Sequence, residues 1–317
     1  MMDDINGSDN EQQVAVIFQQ ICALSVPCNN NVYLIYQPND TASILAELTA
    51  QKPLSLFDYP GYQIKYSPGL MVLDLADKDD QAILKQSIIE FYKAIEPQAI
   101  LLAKPRTVYG WVFSSFSADI LAKQLGKIAI QPSSDGDQLL RYFDPSVLSP
   151  LLLTILSPFQ KDKLLNSVYY WLYLDGDGEL IIEKNHRALR KQLTNHLAIN
   201  QQQWQDIARI ESRNQALARY RFFHPDPSSL AEKAADKIIF AAFIQANAKG
   251  YSEKRDLAEY AYRCLAIHPN FIDHPIIKTM VKQNKTPSLI KQLHSISPLQ
   301  WDVIADECRV NMTGVEQ

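Results

Sequence analysis

The apolar and polar positions of the chain change period several times. Val32-Tyr-Leu-Ile-Tyr36 is an apolar run of strand length closed by Pro38-Asn39-Asp40, and residues 42–51 follow with helical composition. Leu54-Ser-Leu-Phe57 and Leu70-Met-Val-Leu-Asp-Leu75 predict two more strands. From Gln81 to Ile95 the apolar side chains Ile83, Leu84, Ile88, Phe91 and Ile95 recur at spacings of three and four, which predicts an amphipathic helix. Ala99-Ile-Leu-Leu-Ala103 reads as a strand again, and Ser117 to Leu125 as a helix. Strands separated by helices predict an α/β domain with a mixed, partly parallel sheet.

In Asp137-Gln-Leu-Leu-Arg-Tyr-Phe-Asp-Pro-Ser-Val-Leu148, a strand is expected to run to Phe143. Arg141 then shares a strand face with Leu139 and Phe143 and needs an acidic or carbonyl partner. Asp144 is a helix N-cap, and Pro145 takes the first helical position, where a missing N–H costs nothing. That helix runs through Leu151 to Leu156 and stops before Pro158. Tyr169 to Leu174, the turn Asp175-Gly-Asp-Gly178 and Glu179 to Glu183 predict a β-hairpin. After about residue 186 strand signals give way to helix starts: Ser229-x-x-Glu232, Ser252, Thr286-Pro287 and Ser297-Pro298-x-Gln300. Gly250 and Pro269 are the stops. The expected organisation is an α/β domain over residues 1–185, with a β-hairpin, and an all-helical lobe over 186–317.

The 317 residues, 47% hydrophobic and 21% charged, suit two folded domains. The ten glycines stand apart, which excludes a dinucleotide-binding turn, a phosphate loop and a nucleophile elbow, each of which needs clustered glycines. Cys22, Cys28, Cys264 and Cys308 lack C-x-x-C spacing, so free thiols in a reducing compartment are expected. Asp3 and Asp4 stand where a signal peptide needs basic residues, and no apolar run is long enough to span a bilayer, so the expected location is the cytoplasm, with no membrane partner. Charge divides unevenly. Residues 1–180 carry 12 Lys and Arg against 21 Asp and Glu, a balance of −9, whereas 181–317 carry 19 against 14, a balance of +5.

Candidate chemistry is sparse. His268, Asp273 and His274 fit no catalytic zinc spacing and read as a loop ending in a helix cap; no metal and no cofactor are expected. Asp175-Gly-Asp-Gly178 resembles the start of an EF-hand loop, but His186 falls where the bidentate glutamate belongs. Ser114-Ser115 reads as a strand-to-helix junction. Lys184, Arg187, Arg190, Lys191, Arg209, Arg213, Arg219 and Arg221 form a basic run opposed by Asp206 and Glu211. With a net charge of −4 and a pI of about 5.9, docking on an acidic surface, a partner's or that of the chain's own first half, suits that run better than nucleic acid; the alternative is a solvated helix face, and Arg209 and Arg213 are the candidate partner contacts. Tyr169, Trp171 and Tyr173 alternate on one side of their strand and are either a partner-binding face or core.

Several segments together resemble the type VI secretion effector chaperones, also called Tap or TEC adaptors. They are Gly110-Trp111-Val-Phe-Ser-Ser115, the helix through Leu121 to Leu125, and Leu140-Arg141-Tyr142-Phe143-Asp144-Pro145 with Val147-Leu148. Tyr33-Leu-Ile35 and Ser67-Pro68-x-Leu70-x-x-Leu73 fit the family's earlier elements, so the resemblance spans about residues 30 to 175. Gln37, Gln124 and Ser146 depart from its pattern. The resemblance implies a cytoplasmic adaptor without catalytic activity, which binds a toxic effector carrying a PAAR or Rhs module and helps load it onto the VgrG spike. The helical lobe is then the variable part, suited to choosing a partner. The alternative is an α/β small-molecule-binding or enzymatic domain whose site is assembled from scattered residues.

Overall fold

The computed structural model describes residues 3–29, 31–38, 43–59, 61, 67–186, 195–225, 230–283 and 288–313. The chain divides into two compact units, Met1–Ala99 with Ala103–Ile207, and Ala208–Gln317 with Ile100–Leu102. The first unit therefore runs about twenty residues past the expected end at 185.

The first unit is built on a six-stranded sheet in the order β2-β3-β1-β4-β7-β8. Its strands are β1 (Asn31–Tyr36), β2 (Ser55–Leu56), β3 (Gly69–Asp74), β4 (Val108–Phe113), β7 (Tyr170–Leu174) and β8 (Leu180–Lys184). A separate two-stranded hairpin joins β5 (Ile130–Ser133) to β6 (Gly136–Leu139). Every recorded strand pair is antiparallel, so the partly parallel sheet is corrected. The cause is in the order: β3 and β4 do run in the same direction, but β1 lies between them and pairs with both. On β4, Ile35 faces Gly110 while Tyr36 faces Val108, leaving Tyr109 as the extra residue of a bulge. Gly110 holds a φ of 141°, and a Cβ there would strike the Leu172 carbonyl.

The helices of this unit are α1 (Asp3–Ser25), α2 (Ile44–Thr49), α3 (Lys78–Ile95), α4 (Pro97–Leu101), α5 (Ala118–Ala129), α6 (Pro145–Pro150), α7 (Pro158–Leu164) and α8 (Gln201–Ala208), the fourth and the last reaching the unit boundary. The strand expected over Ala99–Ala103 is instead α4 and its exit turn. Pro97 fixes the first helical φ, Ala103 turns left-handed, and the Lys104 N–H closes on the Ala99 carbonyl. α3 covers one face of the sheet: Trp111 donates its indole N–H to Ser87 Oγ at 3.0 Å and stacks on Phe91. α1 packs against α3 through a face that buries Ile17 and Ile21. The opposite face carries Trp171, which meets Tyr142, and Tyr142 donates to the Leu125 carbonyl of α5. After α6 the chain widens to a π-turn over Leu151–Ile155, with the Leu156 N–H on the Leu151 carbonyl.

Residues 195–203 form a strap laid across this unit by side-chain amides. Gln131 donates to the Asn195 carbonyl and accepts from the Leu197 N–H. Gln160 donates to the carbonyls of Leu197 and Ala198, and Gln203 donates to Ile155. Backbone groups that would otherwise lie buried without partners are satisfied in this way.

The second unit is helical, as expected: α9 (Ile210–Phe223), α10 (Glu232–Ala248), α11 (Lys254–Ala266), α12 (Pro275–Gln283), α13 (Leu289–Leu293) and α14 (Pro298–Thr313). Ile239, Phe243, Tyr260, Phe271 and Ile304 lie at its centre. Ser297 and Gln300 close a capping box at α14. α11 starts one residue later than Ser252 would place it, with Glu253 at the cap position. Ser229, Thr286 and Pro287 lie outside the described residues. No helix among the described residues is long and apolar enough to cross a membrane.

Candidate interaction site

The signature segment forms a turn rather than the end of a strand, which corrects the expectation for Arg141. β6 stops at Leu139, Leu140 N donates to the Ala129 carbonyl, and Tyr142 N to the Leu140 carbonyl. The turn buries Tyr142 and Phe143 and leaves the Arg141 side chain 55% exposed. Asp144 caps α6 as expected, with Oδ1 accepting from the Ser146 N–H at 3.0 Å and from its hydroxyl at 2.8 Å. Pro145 begins that helix. Arg106 and Arg141 approach the same carboxylate at 3.5 and 3.7 Å. The bulge aims Tyr109 edge-on at Phe143, and its hydroxyl donates to Gln37 Oε1 at 3.1 Å. Gln37, Tyr109, Arg106, Arg141 and Asp144 thus converge, which sequence spacing did not reveal; the signal lay in a bulge that only strand register shows. Trp111 is core, on the other side of the sheet.

Two of the three alternating aromatics are not a partner-binding face. Trp171 and Tyr173 are 0% and 1% exposed, and only Tyr169 reaches solvent. Alternation identifies a solvent face only when one side of a sheet is bare, and this sheet is covered on both. For Arg213 and Arg221 the reading of the basic run is likewise corrected. Arg213, 3% exposed, lies between Glu232 Oε1 at 2.6 Å and Asp236 Oδ1 at 2.7 Å, and Arg221 reaches Glu232 Oε2 at 3.1 Å. Three guanidinium–carboxylate contacts tie α9 to Glu232 and Asp236 of α10, so these arginines hold helices together rather than a partner. The Arg213 guanidinium is desolvated, yet the two carboxylates hold it charged. Arg209 sits half-buried at the start of α9. Arg187, Arg190 and Lys191 lie outside the described residues.

The helical unit presents a different aromatic surface. Phe222 and Phe223 are 45% and 59% exposed and meet edge to face, and Phe223 adjoins Tyr262. Arg219 lies 4.1 Å over the Tyr262 ring, and Arg263 bridges Tyr262 to Trp301, 3.8 Å from its centroid. Glu259 pairs with both guanidiniums. Tyr262 and Trp301 are themselves buried, so the stacked guanidiniums fix the base on which the exposed Phe223 rests.

No family model, curated protein or solved structure matches the chain.

The first unit also carries a groove of about 470 Å³ between α1, the Tyr92 end of α3 and the β7–β8 turn. Gln12, Gln13, Val16, Ile17 and Gln20 line it from α1, with Asp177, Glu179 and Leu180 opposite. Tyr92 donates to the Gly178 carbonyl at 3.1 Å, and its phenol is pushed up by burial and by the Glu179 and Asp175 carboxylates. The Asp175 carboxylate folds the turn by accepting from the N–H groups of Asp177 and Glu179, which fits a hairpin and not a calcium loop. Ser114 donates to the Ser167 carbonyl and accepts from the Phe116 N–H at a strand-to-helix junction. His274 bonds Glu307, whereas Asp273 faces Lys249 and Lys278, so the His268–His274 segment is not drawn together.

Proposed function

We propose that this protein is a non-catalytic adaptor that binds a type VI secretion effector carrying a PAAR or Rhs module and helps load it onto the VgrG spike. The type VI assignment rests on the resemblance of Gly110–Ser115 and Leu140–Pro145. The observation that supports a binding role is the surface of Phe222, Phe223, Tyr262, Arg219 and Arg263 on the helical unit. Aromatic and arginine side chains anchor protein interfaces, and here Phe222 and Phe223 stand exposed beside a half-buried Arg219, on a base of buried Tyr262 and largely buried Arg263. An adaptor must hold its client and then release it, which a few anchors in a polar rim do better than a deep cavity.

The test is affinity capture from native cytoplasm with identification of the recovered proteins. The expected result is an effector with a PAAR or Rhs module, or a VgrG. With Phe222→Ala and Phe223→Ala together, recovery should fall about tenfold or more, with the melting temperature within about 2 °C of the parent. Recovery of neither protein from cells that express a type VI system and its toxins would overturn the reading.

A further inference from the structure

The β8 strand is the last of its sheet, and its hydrogen-bonding pattern leaves one side open. In the β7–β8 register the Asp175 N–H reaches the Glu179 carbonyl and the Asn185 N–H the Tyr169 carbonyl. Residues 179, 181, 183 and 185 therefore turn their backbone groups toward β7, and Leu180, Ile182 and Lys184 turn theirs outward. None of these outward groups has a hydrogen-bond partner among the described residues. Exposed sheet edges are usually blunted by proline, charge or a bulge. Here the edge begins Leu180-Ile-Ile182, and Ile182 is 42% exposed.

The groove lies beside the start of this edge. Leu180, opposite Leu174 and on the same face as Leu172, faces the α3 side of the sheet, and α1 stands over that side with Val16 48% exposed. A strand added to β8 would pass beneath Gln12, Gln13, Val16 and Gln20. The apolar side chains Val16, Ile17 and Leu180 would take apolar side chains of that strand, and the glutamine amides its peptide groups. At the turn end the lining carries Asp177 and Glu179, with Asp175 next to them and no lysine or arginine among the lining residues. That balance selects a basic side chain at this end of the incoming segment.

We propose that β8 and its groove bind an extended segment of a partner protein by strand addition, its side chains alternately apolar and a lysine or arginine seated over the β7–β8 turn. This builds on the adaptor reading by naming how a client segment is held, and it places that grip in the α/β unit.

The test pans the full-length protein against a displayed library of random twelve-residue peptides, then measures an enriched peptide by fluorescence anisotropy. Enriched peptides should alternate apolar residues and carry Lys or Arg near one end. Ile182→Pro removes an outward N–H that the fold does not use and should weaken binding about tenfold or more. Glu179→Lys, at an exposed position, should weaken it about tenfold and reduce its salt dependence. Melting curves of both variants should match the parent; if Ile182→Pro melts early, Glu179→Lys alone decides. Enrichment of no such peptides, equal binding by the variants, or concentration-dependent pairing of two copies through β8 would overturn the proposal. Effector capture that survives both substitutions would remove the strand site and leave the adaptor standing. Peptide binding without effector capture would do the reverse.

Discussion

Single side chains carry more than one job in the signature turn. Asp144 caps α6 and also receives Arg106 and Arg141, so Asp144→Ala should cost about 1–2 kcal/mol, at the upper end of cap losses. Urea denaturation checks this, and an unchanged midpoint would remove the cap from the stability of the unit. Glu183 offers a test with a sign. Burial pushes its carboxyl above the ordinary value of about 4.5, with Lys161 opposing. A raised carboxyl binds its proton more tightly in the folded chain, so its contribution is full below about pH 4.5 and fades as pH rises through the raised value. Glu183→Gln should therefore raise the melting temperature at neutral pH and give no gain near about pH 4. A gain that persists in acid would mean that packing, not ionisation, sets the effect. In the helical unit, burial pushes the Cys264 thiol up to about 12, so alkylation at that site reports opening of the core.

Elements with strong periodicity and explicit ends were legible in the sequence. β1, β3, α3, the β7–β8 hairpin and the Asp144–Pro145 helix start all lie within a few residues of their expected bounds. What was not legible depends on contacts remote in the chain. The fate of Trp171 turned on whether a second helical layer covered its face, and that of Arg213 on two carboxylates about twenty residues away. α1 was missed because glutamines interrupt its apolar face, and the Ser157-Pro158-x-Gln160 start of α7 because its proline was read only as a stop. That second start is also where an element acquires a long-range role. Gln160 closes the capping box with Ser157 and holds the strap at Leu197 and Ala198. Gln160→Ala should lower stability by about 1–3 kcal/mol and speed proteolysis between residues 195 and 203, since it strands the buried Leu197 carbonyl. Cleavage at the parental rate would show that the strap is held by other contacts.

At the scale of the molecule, the boundary lies where hydrogen bonds end and not where strands end. The strap and α8 belong to the α/β unit, so a fragment of residues 1–207 should melt cooperatively and well above one of residues 1–185. Equal melting of the two by circular dichroism would make the strap a passive linker. The same arrangement gives the protein a timetable during its synthesis. Because Gln131 and Gln160 wait for carbonyls 195–198, the α/β unit stays incomplete after its last strand has left the ribosome, for roughly 1–4 s at ordinary elongation rates. Throughout that interval the amides of Gln131 and Gln160 stand without the backbone groups they hold in the finished unit, so a stall in translation just after β8 would lengthen the time the unit is open to misfolding.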